Sequence, residues 1–389
     1  MRTQTKTLRI AMNGITGRMG YRQHLVRSIL PIREAGGVVL EDGTKVQVEP
    51  ILVGRNEAKL RELAEKHKVA EWSTDLDSLI QDQSVDIVFD ASMTSLRAET
   101  LRKAMRAGKH IFTEKPTAET LDEAVELARI STETGVTAGV VHDKLYLPGL
   151  VKLRRLVDEG FFGRILSIRG EFGYWVFEGD IQPAQRPSWN YRREDGGGMT
   201  TDMFCHWNYV LEGIVGRVRS VNALTATHIP ARWDEQGREY QATADDASYG
   251  IFELETPAGD HVVGQINSSW AVRVYRDELV EFQVDGTHGS AVAGLTKCVA
   301  QQRAHTPKPV WNPDLPVTES FRSQWQEVPA NQELDNGFRL QWEEFLRDVV
   351  AGREHRFGLL SAARGVQLAE LGLQSNAERR TIDIPEIEL

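Results

Sequence analysis

Cysteine is scarce in this chain: 2 in 389 residues, Cys205 and Cys298, far apart and without a metal-type spacing. That excludes a disulfide framework and fits a reducing cytoplasm. No stretch approaches 18 uninterrupted apolar residues, so no membrane span is expected. Met1 to Leu8 is polar and leads straight into a strand-like stretch, so no secretory signal is expected. Positive charge is outweighed, 46 Lys and Arg against 56 Asp and Glu for a formal net charge of −10, which argues against a nucleic-acid partner. Internal repeats and low-complexity tails are also missing.

What is present is the composition of a globular protein, 41% hydrophobic and 26% charged, in a chain too long for one ordinary core. Up to about residue 140, short apolar runs alternate with helical patterns, the mark of a doubly wound parallel sheet. Leu8 to Met12 reads as the first strand, followed by a glycine-containing turn and a helix through about Leu30. Glu41-Asp42-Gly43-Thr44 reads as a hairpin turn inserted before a second strand at roughly Glu49 to Val53. After Val141 long strand patterns dominate, with one helix near 147–159, one beginning near Met199, and two amphipathic helices in the tail, around 338–350 and 360–377. The expected architecture is an α/β Rossmann domain over 1–140, then an α+β domain over 141–389. The second domain would hold a large, mostly antiparallel open sheet.

Directly after the first strand stands Gly14-Ile15-Thr16-Gly17-Arg18-Met19-Gly20. A dinucleotide pyrophosphate needs a turn without side chains at a helix N-terminus, where backbone N–H groups can approach it. The spacing is G-x-x-G-x-x-G, with Ile15 where the usual pattern has glycine, and all seven residues are candidates for cofactor binding. At the end of the second strand, where an acid would hold ribose hydroxyls, the chain has Gly54-Arg55-Asn56. Arg55 and Asn56 are further cofactor candidates. The cofactor expected is NAD or NADP, with Arg55 favouring the 2′-phosphate of NADP.

Glu114-Lys115-Pro116 falls at the C-terminal end of a parallel strand, the edge that faces the ligand crevice of such sheets. A lysine there can favour negative charge developing on a substrate oxygen. Gly196-Gly197-Gly198 precedes a helix carrying Asp202 and His206 at i and i+4, on one face. The glycines would let the chain approach a flat ligand. Histidine suits the proton of an alcohol, and the carboxylate can hold its ring or bind a neighbouring hydroxyl. The alternatives are a structural Asp–His pair or a metal site with His142 as third ligand. That ligand set is sparse and H-E-x-x-H is absent, so no metal is expected.

Together these residues resemble the Gfo/Idh/MocA family over nearly the whole chain. Ala107 to Thr113 leads into the E-K-P motif, Asp90-Ala91-Ser92 takes the place of a strand-end Ala-Thr-Pro segment, and the glycines and Asp-x-x-x-His follow at a fitting distance. The resemblance implies a catalytic set of Lys115, Asp202 and His206, with Ala91, Ser92, Glu114 and Lys115 beside the cofactor. It also implies a homodimer or homotetramer formed through the open sheet face. Phe204 and Tyr209 stand where the family often has glycine and aspartate, and Arg97 where it frequently has histidine.

The activity expected is hydride transfer between nicotinamide and a hydroxyl-bearing carbon of a sugar, sugar acid or polyol. A redox-neutral glycoside hydrolase using bound NAD would show nearly the same residues, and a non-enzymatic dinucleotide sensor is a third reading. Arg186, Arg192 and Arg193, just before Gly196, are candidates to bind an anionic group on the substrate. Trp175 and Trp189 are candidates to wall its pocket, and His142 a further substrate contact. Such arginines and tryptophans are equally the residues of subunit interfaces.

Overall fold

The computed structural model describes residues 5–309, 311–316, 318, 320–331 and 336–389. The chain forms two compact units. Unit 1 comprises Met1–Tyr146, Asp335–Gln367 and Glu386–Leu389; unit 2 comprises Leu147–Leu334 and Leu368–Pro385.

Unit 1 is built on a seven-stranded sheet of β1 (Thr5–Asn13), β2 (Val38–Val39), β3 (Lys45–Val53), β4 (Glu71–Ser73), β5 (Ile87–Asp90), β6 (His110–Thr113) and β7 (Ala138–Val140). The order is β2-β3-β1-β5-β6-β7, with β4 also paired to β3. All pairs are parallel except the β2–β3 hairpin. The hairpin turn lies where the sequence places it, with Asp42 accepting from the Thr44 N–H at 2.8 Å. The following strand begins at Lys45 rather than near Glu49, because β1 pairs with it from Lys45 onward and β2 pairs with Lys45 and Val46.

Successive residues of the central strands enter opposite cores, so both faces are covered. Ile10, Met12, Leu52, Ile87 and Phe89 pack on one side; Ala11, Ile51, Val53 and Val88 pack on the other. The helices begin where local chemistry starts them. Asn56 caps Glu57–His67 by accepting from the Lys59 N–H, and Thr120 caps Leu121–Thr134 by accepting from the Glu123 N–H. The helix after the glycine turn, Gly20–Ile29, is wound as a π-helix, and the Leu30 N–H reaches back to the Leu25 carbonyl.

The tail corrects the simple boundary at residue 140. Helix Gly337–Ala351 belongs to unit 1, where Trp342, Phe345 and Leu346 fill the first core. Trp342 lies 4.3 Å from the Phe112 ring and 5.5 Å from the Phe89 ring, centre to centre. An amphipathic pattern shows that a helix has an apolar face but not which sheet that face covers.

Unit 2 holds β8 (Ile165–Gly173), β9 (Arg217–Ala226), the small hairpin β10 (Ala231–Trp233) and β11 (Glu239–Gln241), β12 (Ala247–Glu255), β13 (His261–Ser269), β14 (Val280–Gly286), β15 (Gly289–Ala293), β16 (Cys298–Gln302), β17 (Gln326–Glu327) and β18 (Ile382–Asp383). Nine of these form one sheet, β17-β16-β15-β14-β8-β13-β12-β9-β18. Only the β8–β13 pair is parallel. Strict alternation of buried and exposed residues from Tyr249 to Glu255 marks a sheet with one open face. Among the described residues no helix is long and apolar enough to cross a membrane.

Candidate active site

In unit 1 the C-terminal ends of β1, β5 and β6, neighbours in the sheet, bring together the glycine turn, Asp90-Ala91-Ser92 and Glu114-Lys115. Gly14 has φ +79°, and a Cβ there would lie 2.6 Å from the Ala91 carbonyl group. The first turn therefore presses directly against the β5 segment, an approach only glycine allows. Ile15 is fully buried. Its side chain belongs to the core, so only its backbone is left to meet a ligand. Arg18 is exposed, while Thr16 and Met19 are partly so. No side chain caps the helix starting at Gly20. A turn with glycine at every third position, leading into a helix start without a side-chain cap, fits a dinucleotide pyrophosphate.

At the end of β3, Arg55 is exposed, whereas the Asn56 side chain is committed to its helix cap. Lys59 Nζ donates to the Thr16 carbonyl at 3.2 Å, and Glu57 is paired with Arg61.

Two residues not counted among the sequence candidates organise this edge. Asp90, fully buried, accepts from Asn13 Nδ2 at 2.7 Å, Ser92 Oγ at 2.8 Å and Arg97 Nε at 3.2 Å. The buried Arg97 also donates to the Ser92 carbonyl at 2.5 Å and to the Pro116 carbonyl. One guanidinium thus ties the β5 turn to the residue after Lys115. Its departure from the family pattern was the only sequence signal. Glu114 is buried and accepts from the ring of His24 at 2.9 Å. Burial alone would raise its pKa; the His24 hydrogen bond and the charges of Arg97 and Lys115 outweigh this and hold it below the usual carboxylate range.

In unit 2, helix Met199–Ile214 carries Asp202 and His206. Its start is fixed by Asp245, whose carboxylate accepts from the Thr200 N–H and hydroxyl at 2.8 and 2.7 Å. Two of the three glycines serve this geometry. A Cβ on Gly197 would lie 2.3 Å from the Trp189 carbonyl oxygen, and one on Gly198 2.8 Å from Asp245. At these two positions the close approach expected toward a ligand is made instead to the unit's own chain. His206 Nδ1 lies 2.6 Å from the Tyr209 hydroxyl, one turn along the helix. Asp202 pairs with Arg186 at 3.4 Å. Tyr209 thus meets the histidine ring at the position where the family often has aspartate.

The other candidates are largely engaged within their own units. Arg186 also contacts Asn190 at 3.1 Å and lies over Trp270, 4.2 Å from its ring centre. Arg192 lies over Tyr240 and is 3.8 Å from Asp195. Each of these two guanidiniums has an acid partner, which removes the ground for expecting an anionic substrate from them. Arg193 and Trp189 are exposed, and Arg273 stacks on the half-buried Trp175. His142 is buried in unit 1, with Nδ1 on the Val140 carbonyl at 2.9 Å and Nε2 on Ser361 Oγ at 3.0 Å. Both of its ring nitrogens are thus engaged inside the unit. Burial pushes its pKa down to about 3.

Among the described residues, Glu344, Asp348 and His355 offer donor atoms within 4.8 Å of one another. Arg356 and Arg353 pair with the two acids at 2.9 and 3.1 Å, so the cluster is already neutralised.

Residues 8–142 match the oxidoreductase family with an NAD-binding Rossmann fold, and residues 150–292 match the GFO/IDH/MocA C-terminal domain. Over 387 residues the chain is 88% identical to D-xylose dehydrogenase of Paenarthrobacter nicotinovorans, with 100% of both chains covered. It is 27% identical over 260 residues to levoglucosan dehydrogenase of Pseudarthrobacter phenanthrenivorans, covering 63% of this chain and 64% of that one. The solved structure of a levoglucosan dehydrogenase in complex with NADH and L-sorbose shares the fold. Its TM-score is 0.79 at 21% identity, over 98% of this chain and 99% of that one.

Proposed function

Because the chain belongs to the GFO/IDH/MocA family of NAD(P)-binding oxidoreductases, we propose that it oxidises D-xylose, or a neutral aldose of closely similar stereochemistry, at a hydroxyl-bearing carbon. The observation that carries this reading is the 88% identity, over the full length of both chains, with a D-xylose dehydrogenase. A substrate pocket seldom changes class while nearly nine residues in ten are kept. The pairing of Arg186 with Asp202 and of Arg192 with Asp195 supports a neutral substrate over an acidic one.

The nicotinamide supplies a hydride acceptor. The protein's part is to take the hydroxyl proton and stabilise charge on the oxygen. His206 takes the proton at Nε2, with Tyr209 on Nδ1 holding the ring. Lys115 holds the substrate oxygen as charge develops. Asp202 and Arg186 form a paired polar surface that orients the neighbouring hydroxyls. The exposed Arg55, with Lys59 nearby and Glu57 paired away, supports acceptance of NADP at least as well as NAD. Cys205 and Cys298 form no disulfide, in keeping with a cytoplasmic site of action. Leu224, Tyr249, Ile251 and Val263 are exposed large apolar residues on adjacent strands, which supports a dimer or tetramer formed through the open sheet face.

The test is a panel of aldoses, polyols and sugar acids with either cofactor, following reduced nicotinamide and analysing the product. D-xylose should give reduced cofactor and oxidised sugar in equal amounts. No net reduction with any aldose, together with cleavage of a glycoside, would favour the redox-neutral hydrolase instead.

A further inference from the structure

Beneath the Lys115 turn, three residues distant in sequence form a hydrogen-bonded line. Trp342 Nε1 donates to His24 Nδ1 at 2.9 Å, and His24 Nε2 lies 2.9 Å from Glu114 Oε1. His24 and Trp342 are fully buried and Glu114 nearly so. An indole N–H is only a donor, so His24 Nδ1 must be the acceptor and the ring proton must sit on Nε2. That proton points at the carboxylate. Phe89 and Phe338 pack on the same imidazole, 4.4 and 5.2 Å from it between ring centres, so the ring has no room to choose another partner. Fixing a tautomer through the second nitrogen is how proteins set which atom of a histidine acts.

We infer that His24 and Trp342 are positioning residues for Lys115, holding the Glu114 carboxylate in place as the lysine's neighbouring counter-charge. The inference rests on the reading that Lys115 serves the substrate oxygen. The backbone around Lys115 is pinned on both sides: the Glu114 N–H donates to the Asp90 carbonyl at 2.9 Å, and Arg97 holds the Pro116 carbonyl. The Glu114 side chain is the remaining degree of freedom, and His24 removes it. Without that donor, a buried carboxylate lacks one of its few partners and turns toward whatever charge is nearest. Lys115, the next residue in the chain, carries a flexible charge, and its ammonium would then be drawn off the substrate oxygen.

Turnover should therefore depend on a donor at the position of His24 Nε2, not on the imidazole as such. His24→Phe should lower kcat about 10-fold or more, since small misplacements of a reacting group carry losses of that size. His24→Gln, whose amide N–H reaches the same place, should recover kcat to within about threefold of wild type. Trp342→Phe keeps an aromatic side chain while removing the indole N–H together with its five-membered ring; it should lower kcat about threefold, and it decides the matter if His24→Phe does not fold.

Wild-type kcat in folded His24→Phe, or in Trp342→Phe when His24→Phe does not fold, overturns the inference. Equal losses in His24→Phe and His24→Gln also overturn it, since they would show a packing role alone. Lys115→Met separates the two levels. If it keeps wild-type turnover, the reading of Lys115 fails and this inference falls with it. If it loses turnover while His24→Phe does not, only the positioning role fails.

Discussion

Arg97→Met tests the frame that holds the cofactor edge together. The wild-type guanidinium is 4% exposed and Asp90 is 0% exposed, so the pair sits where water cannot replace a lost partner. Removing one member of a buried pair costs about 3–5 kcal/mol, because the other charge is left in the interior. Asp90 keeps Asn13 and Ser92 as donors, which puts the expected cost at the lower end, about 3 kcal/mol. The Ser92 and Pro116 carbonyls lose a donor as well. For a folding unit of this size, 1 kcal/mol moves the midpoint by roughly 2–4 °C, so the melting temperature should fall by about 6–12 °C. Differential scanning calorimetry at neutral pH measures it. Adding Asp90→Asn should recover part of the loss, because no buried charge then remains unmatched. A fall of less than about 2 °C in Arg97→Met would refute the reasoning, since the pair would then have to be solvated or redundant.

Three further expectations follow from the same geometry. His206→Ala should lower turnover by roughly 10² or more, and Tyr209→Phe should lower kcat by less while leaving KM nearly unchanged, because the phenol only orients the ring; steady-state kinetics with wild-type turnover in His206→Ala would remove it as the proton acceptor. Arg55→Ala should raise KM for NADP more than for NAD, and equal changes for the two cofactors would show that Arg55 does not meet the 2′-phosphate. His142 stays neutral in the fold down to about pH 3, whereas in the unfolded chain it takes a proton near pH 6.5. The unfolded state therefore binds more protons across that window, and stability should fall as pH drops from about 6.5 toward 3. In denaturant titrations His142→Gln should show a shallower pH slope over that range, and an unchanged slope would show that other groups carry it.

Local chemistry wrote a large part of this protein into its sequence. The alternation of Ile10, Ala11 and Met12 between two cores is a backbone property, as are the Thr120 cap and the 41–44 hairpin; each is set by residues close together in the chain. For the same reason the glycine turn, the Lys115 turn and the i, i+4 spacing of Asp202 and His206 were legible as motifs. What those motifs touch was not legible. Helix Gly337–Ala351 showed an apolar face, but only folding laid Trp342 against Phe112 and His24, over 200 and over 300 residues away. Arg97 was visible only as a departure from a pattern, and became the link between two strand ends through acceptors contributed by Asp90, Ser92 and Pro116. Gly197 and Gly198 were read as places of close approach to a ligand, and their close neighbours in the fold are Trp189, Asn190 and Asp245. Spacing along a chain fixes which side chains share a face. Partners across a sheet edge or a core are chosen by the packing of segments that the sequence does not order in space, and that choice belonged to the tertiary structure.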